Sequence, residues 1–162
     1  YNTMPQLTVN EAGNSTFTDS ITIKSGDFAA AVIGTKADDA THTIEYDIPQ
    51  GAVVQKVAYK LNEAFDDSGS GISLTLTVGD DDTAAGYIGA SQLHLDGTEV
   101  TYAYNDGSYF TAGGDANTVN GKLYTADGKE FKLLFTPGAG GAYSLNELNA
   151  GSVTVFFEMA RL

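Results

Sequence analysis

Cysteine and tryptophan are absent from this 162-residue chain, which has only 3 prolines and 8 basic residues. Without cysteine there can be no disulfide framework, no thiol nucleophile and no cysteine-ligated zinc or iron–sulfur site. The 8 basic residues face 21 acidic ones, and the net charge of −13 argues against nucleic acid as a partner, because phosphate contacts need Lys and Arg. No run of about 18 apolar residues is present, so we expect no membrane-spanning helix and no membrane partner.

Most of the sequence alternates apolar and polar residues with a period of two, which is typical of β-strands with one buried face. Segment 41–48 is a clear example, and Pro49 ends it. Its predicted inward side carries His42, Ile44, Tyr46 and Ile48. The pattern recurs in segments 17–23, 52–61, 72–78, 98–104, 119–125, 130–136 and 152–159. In segment 52–61, the residues predicted to share one side are Val53, Gln55, Val57, Tyr59 and Leu61.

Glycine, asparagine and aspartate separate these segments and supply the backbone conformations that tight turns need. Asp127-Gly128, between Leu123 and Phe131, is the strongest hairpin signal. Only segments 28–35 and 143–148 could hold a helical turn, and both are too short for an independent helix. About eight short strands with such turns predict an all-β antiparallel β-sandwich with a jelly-roll-like arrangement. We expect residues 17–162 to form this single domain.

Residues 1–16 do not continue the core pattern, because they are mostly small and polar. Leu7 and Val9 are the apolar residues that could anchor this segment. One interpretation is a loose terminus or short edge strand, and the other is an arm that becomes ordered on a neighbouring subunit. In the second case Leu7 and Val9 are candidate interface residues.

The carboxylates of Asp80, Asp81 and Asp82 directly follow a predicted buried strand. Three adjacent acids could ligate Ca²⁺, which takes six to eight oxygen ligands. Their spacing does not match an EF-hand loop, and a solvated acidic turn is the alternative. We interpret the acid pairs at 38–39 and 66–67 as solvated turns.

No pattern of catalytic residues supports an enzyme. His42 and His94 have no metal-ligand spacing and are expected to be structural residues. The Ser/Gly segment 68–71 has no following helix, as a nucleophile elbow would require, and the glycine runs lack the lysine of a phosphate loop. With 21 acids, no pair can be nominated for glycoside hydrolysis. We therefore predict a protein that works by binding and requires no cofactor.

Aromatic residues cluster around the Asn-Asp-Gly turn at 105–107. The cluster consists of Tyr102, Tyr104, Tyr109 and Phe110. Three interpretations stay open: ordinary core packing, a subunit interface in which tyrosine is enriched, or a platform that stacks on sugar rings. Tyr104, Tyr109 and Phe110 are the candidate interface residues.

The sequence VGDDDTAAGYIGA at 78–90 resembles a segment found in small β-rich virion proteins of tailed bacteriophages. Such proteins place an aliphatic-rich strand pair before it, as 53–61 and 72–78 do here. They often end in a strand that closes with an aromatic residue, Arg and Leu, much as FFEMARL does at 156–162. The resemblance covers residues 48–91 and the last ten residues.

This resemblance implies a non-enzymatic virion structural protein, most specifically a head decoration or cement protein on the outer capsid surface. The implied partners are the major capsid protein and further copies of the chain, as a dimer or trimer. The protein would stabilise the shell by bridging its subunits, and its acidic surface would repel nucleic acid. The alternative is a carbohydrate- or receptor-binding module of a phage tail or an extracellular bacterial surface.

Overall fold

The computed structural model describes residues 6–9, 15–28, 41–67, 73–111, 121–138 and 145–161. Its strands are β1 (Gln6–Val9), β2 (Ser15–Lys24), β3 (His42–Ile48), β4 (Ala52–Asp66), β5 (Ser73–Gly79), β6 (Ile88–Gln92), β7 (Tyr102–Tyr104), β8 (Lys122–Leu123), β9 (Lys129–Gly138) and β10 (Ala150–Arg161). Short 3₁₀ turns occupy Ser25–Phe28 and Leu145–Glu147. Within the described ranges, no helix has the length and apolar character needed to cross a membrane.

The strands form two antiparallel sheets that pack face to face. Sheet A has the order β1-β2-β10-β4-β7, with β8 also paired to β4, and sheet B has the order β3-β9-β5-β6. Along the chain, β2 pairs with β10, β3 with β9, β4 with β7, and β5 with β6. This is a long hairpin rolled into two sheets, which is the jelly-roll arrangement. The predicted all-β sandwich is therefore confirmed, and the structure supplies the strand order that the sequence left open.

An aromatic stack joins the two sheets at the centre of the core. Phe157 on β10 of sheet A stacks on Phe131 of β9, with ring centroids 4.1 Å apart, and on Tyr46 of β3 at 5.3 Å. Both phenylalanine rings are fully buried. Burial of one such side chain stabilises the fold by about 1.5–3 kcal/mol, and close ring pairs add about 0.5–1.5 kcal/mol. The hydroxyl of Tyr46 donates a hydrogen bond to buried Asp19 on β2, which further ties the sheets together.

A β-bulge in β4 corrects the predicted inward face of segment 52–61. The register against β10 shifts after the Lys56 pair, so that Val54 and Val57 are both buried while Val53 is half-buried and Gln55 is exposed. Asn105 holds the bulge: its Oδ1 accepts from the Val57 amide at 2.8 Å. A strict period of two cannot continue through such an extra residue.

The predicted hairpin at Asp127-Gly128 is wrong. Gly128 does adopt a positive φ of 72°, but the strands on either side enter different sheets. β8 pairs with β4 in sheet A, whereas β9 pairs with β3 and β5 in sheet B. The sequence therefore predicts the turn conformation at Gly128, whereas long-range packing decides which strands pair.

The backbone of residues 6–9 forms an edge strand of sheet A. β1 pairs antiparallel with β2, from Gln6 opposite Thr18 to Val9 opposite Ser15. The side chains of Leu7 and Val9 lie outside the described part of the structure, so their role at an interface stays a prediction.

Candidate functional sites

A buried carboxylate organises one end of the sandwich. Asp80 follows β5, and its side chain accepts hydrogen bonds from the hydroxyls of Tyr109 at 2.7 Å and Tyr124 at 2.5 Å. Lys122 on β8 places its Nζ 2.5 Å from Asp80 Oδ2. The backbone amides of Asp82 and Thr83 both donate to Asp80 Oδ1 at 3.0 Å. Both oxygens are thus satisfied by groups of the protein itself.

This network fixes Asp80 as an anion. Burial alone would raise the pKa of Asp80, but the hydrogen bonds from Lys122, Tyr124 and Tyr109 outweigh burial and lower the pKa to about 2. Burial would also lower the pKa of Lys122, yet its bond to Asp80 raises it well above the ordinary value. Burial raises the pKa of both Tyr124 and Tyr87, whose hydroxyls are hydrogen-bonded to each other. Every member keeps its ordinary charge at neutral pH, which is characteristic of a structural network.

The three acids predicted as a calcium site are directed at two different lysines. Asp80 and Asp82 contact Lys122, and Asp82 Oδ2 lies 3.0 Å from its Nζ. Asp81 lies 3.3 Å from Nζ of Lys132, which also pairs with Glu45 and Glu130. A calcium ion would have to displace these ammonium groups, so the calcium site stays a proposal with an unfavourable starting geometry.

The aromatic cluster around the 105–107 turn divides between core and surface. Tyr109 is only 7% exposed and packs edge-on against Tyr87 at 5.0 Å, which favours the core-packing interpretation, while its role at an interface stays a prediction. Phe110 is half-buried and also packs against Tyr87, at 5.9 Å. Tyr104 and Tyr102, by contrast, are 47% and 59% exposed. Within this cluster, the two tyrosines that reach solvent therefore lie on β7.

These tyrosines belong to a larger exposed surface on sheet A. In the register, Ala58 of β4 lies between Phe156 of β10 and Tyr104 of β7. Directly opposite residues of antiparallel strands point to the same side, so these three side chains share the outer side of the sheet. The small Ala58 is 5% exposed, and the large rings beside it reach solvent. We call Phe156, Ala58, Tyr104 and Tyr102, with Lys56 and Lys60, the aromatic face.

Two lysines give the aromatic face a charge unlike that of the whole chain. Nζ of Lys56 lies 4.8 Å from the ring centroid of Tyr104, and Lys60 is the register partner of Tyr102. Glu158 lies opposite Lys56 in the register. The outer side of sheet B differs, because Asp47 lies opposite Glu130 there and Glu45 lies opposite Lys132, so that acids outnumber the lysine in these pairs. A chain of net charge −13 thus presents one apolar face with lysines and one acidic face.

A second polar cluster, with a buried histidine and two half-buried aspartates, lies at the other end of β4. One donor atom each from Asp66, Asp67 and His94 lies within 4.8 Å of the others. His94 is 1% exposed, and its Nε2 lies 3.3 Å from Asp67 Oδ1. The sequence predicts a structural His94 and a solvated turn at Asp66 and Asp67, and does not predict that they lie together. No local motif could have joined them, because 27 residues separate Asp67 from His94.

The chain is thus a jelly-roll β-sandwich with exposed aromatic residues on the outer side of sheet A. No protein-family model and no curated protein matches the chain. Among solved structures, the chain is similar to one in the capsid asymmetric unit of cyanophage Pam1, with a TM-score of 0.56 and 19% identity over 92% of this chain and 86% of that one. It is also similar to a chain in the capsid of Ralstonia phage GP4, with a TM-score of 0.44 and 15% identity over 91% of this chain and 84% of that one. The likeness to the Pam1 chain shows a shared fold.

Proposed function

We propose that this protein is a non-enzymatic structural component of a phage particle, and specifically a decoration or cement protein on the outer capsid surface. The shared fold with a chain of a phage capsid supports this proposal. The observation that carries it is the aromatic face, in which Phe156 and Tyr104 flank the small Ala58 on a regular sheet. Exposed aromatic residues grouped in this way mark protein-binding surfaces.

The aromatic face would contact the major capsid protein. Tyrosine and phenylalanine give a large buried area with few rotatable bonds, and they are enriched at the centres of interfaces. The lysines Lys56 and Lys60 would meet acidic groups of the shell, since opposite charges align a complex and speed association. The acidic outer side of sheet B would then face solvent and keep neighbouring copies soluble.

Bridging would be the mechanism of stabilisation. A subunit that contacts two shell proteins adds its binding free energy to the cost of separating them. Self-association as a dimer or trimer would multiply the contacts, and closed cyclic symmetry is the commonest form of such assemblies. Light scattering of the purified protein tests the oligomer, and a monomer at all concentrations would remove self-association from the mechanism.

The decisive experiment is the copy number in purified particles. Particles from the source are banded by density, and this chain is quantified against the major shell protein. A simple ratio near one, or a simple fraction of it, that survives banding supports a capsid component. A handful of copies per particle would indicate a tail position, and absence from particles would overturn the virion proposal.

The second candidate is a carbohydrate- or receptor-binding module, favoured by the two exposed tyrosines of β7. Tyr102 and Tyr104 expose 59% and 47% of their surface, and such rings can stack on sugars. Glycan-array binding that Tyr104→Ala abolishes would support this candidate. Tyr109→Ala is not a suitable test, because Tyr109 is a core residue.

A further inference from the structure

The cluster at the end of β4 contains two carboxylates and one imidazole from distant parts of the chain. Asp66 ends β4 of sheet A, Asp67 follows it, and His94 lies just after β6 of sheet B. One donor atom of each lies within 4.8 Å of the other two. Carboxylate oxygen and imidazole nitrogen are both ligands of divalent transition metals.

Backbone contacts hold these donors in place. Phe65 and His94 form an isolated parallel bridge, in which the Phe65 amide donates to the Leu93 carbonyl at 2.9 Å and the Leu95 amide donates to the Phe65 carbonyl at 2.8 Å. The amide of Asn149 donates to the Asp66 carbonyl at 2.9 Å. Three segments therefore converge at this point, and the fold holds the backbone that carries these donors.

The burial of His94 leaves one ring nitrogen unsatisfied. Nε2 faces Asp67, whereas Nδ1 is buried and has no hydrogen-bond partner within the described ranges of the chain. If Nε2 carries the proton, the lone pair of Nδ1 is open. If Nδ1 carries it, the lone pair of Nε2 faces a carboxylate oxygen. In the second tautomer two lone pairs face each other, and a cation between Nε2 and Asp67 would relieve this contact.

We propose that Asp66, Asp67 and His94 bind one divalent transition-metal ion of the Zn²⁺ type. Two ligand atoms bound tetrahedrally at about 2.0–2.1 Å lie about 3.3 Å apart. The distance between Asp67 Oδ1 and His94 Nε2 is 3.3 Å, which is longer than an ordinary charged hydrogen bond. The donor atom of Asp66 lies within 4.8 Å of the other two, so it would have to move closer to share the ion. The imidazole selects a transition metal over Ca²⁺, which takes oxygen ligands.

The bound ion would tie the two sheets together at this end of the sandwich. Asp66 and Asp67 belong to the end of a sheet A strand, and His94 follows a sheet B strand. A ligand that binds only the folded chain stabilises it by mass action. Zn²⁺ at roughly one hundred times its dissociation constant should raise Tm by about 5–10 °C.

The test uses the full-length chain without a histidine tag, treated with chelator and then dialysed. Co²⁺ is added and its visible absorption is recorded, and Zn²⁺ binding is followed by calorimetry and by Tm. We expect about one equivalent bound, a tetrahedral Co²⁺ spectrum, and at least a ten-fold loss of affinity in His94→Gln and in Asp67→Asn. His42→Gln, which changes the chain's other histidine, should bind as the unchanged protein does.

The ¹⁵N NMR chemical shifts of the His94 ring can be measured in the unchanged protein. This readout needs no substitution, so misfolding of a variant cannot affect it. A shift of one ring nitrogen on addition of Zn²⁺, with that of His42 unmoved, supports the site. The proposal is overturned if the His94 shifts do not move at about 1 mM Zn²⁺. It is equally overturned if a folded His94→Gln retains full affinity, because the metal would then bind surface carboxylates only.

Discussion

The ammonium of Lys122 lies 2.5 Å from the carboxylate of Asp80, whose side chain is almost fully buried. The pair joins β8 of sheet A to the turn after β5 of sheet B, and it includes the hydroxyls of Tyr109 and Tyr124. Lys122 also lies over both rings, 4.6 Å from the centroid of Tyr109 and 5.1 Å from that of Tyr124. The turn that looked like a ligand site in the sequence is therefore a clasp between the two sheets.

Replacement of Asp80 should strongly destabilise the fold. Asp80→Asn leaves a partly buried ammonium with only the exposed Asp82 as its counter-charge and weakens two tyrosine hydrogen bonds. We expect a loss of about 2–4 kcal/mol in the free energy of unfolding, measured by urea denaturation. Asp82→Asn is the matched control: it touches the same lysine but is 68% exposed, and it should cost under about 1 kcal/mol. Equal effects of the two variants would contradict a structural clasp.

The lowered pKa of Asp80 predicts a specific loss of stability in acid. Because the pKa is about 2 in the folded state and near 3.8 when unperturbed, the unfolded chain binds more protons between these values. The contribution is complete above about pH 4 and is lost as the pH falls towards 2, and it amounts to about 2 kcal/mol. The stability difference between the unchanged protein and Asp80→Asn should shrink by that amount from pH 5 to pH 2. A difference that is constant over this range would show that Asp80 does not carry the shift.

The same geometry sets the expectation for calcium at Asp80, Asp81 and Asp82. Lys122 and Lys132 already supply positive charge to these acids. We expect about 1 mM Ca²⁺ to leave the Tm of the chelator-treated protein unchanged, since an ion must first displace an ammonium group. A rise in Tm that disappears in Asp81→Asn would instead establish the calcium site.

The local sequence pattern predicts most of the strands. The β4 bulge and strand β6 depend on long-range packing, so the pattern does not predict them. Alternation of apolar and polar residues predicts the buried faces of β3 and β5, because each strand has one buried side and one more exposed side. The turn residues predict where the strands end. The bulge at Gln55 could not be predicted from local sequence, because Asn105, which holds it, lies in a turn 50 residues away. Strand β6 was not predicted, because its sequence, IGASQ, shows little alternation of apolar and polar residues.

The candidate sites were harder to predict than the fold. Tyr102 and Tyr109 come from the same aromatic cluster, yet one is on the surface and the other in the core. The spacing of aromatic residues in the sequence does not show which of their side chains the packing of the sheets will bury. Lys122 and Tyr124 gave no signal of their own, since their partner Asp80 lies more than 40 residues earlier. Such networks become visible only once the strand order brings β8 beside the β5 turn.

Polar replacement on the aromatic face should weaken particle attachment without unfolding the protein. Tyr104→Ser and Phe156→Ser remove exposed rings on either side of Ala58, so each should change the unfolding free energy by under about 1 kcal/mol. If the face binds the shell, each should reduce retention on density-banded particles, because central aromatic residues contribute about 2 kcal/mol or more, roughly a thirty-fold change in affinity. Thr43→Ser, on the outer side of sheet B, is the control and should leave retention unchanged. Full occupancy of both aromatic variants at limiting protein concentration would mean that another surface makes the contact.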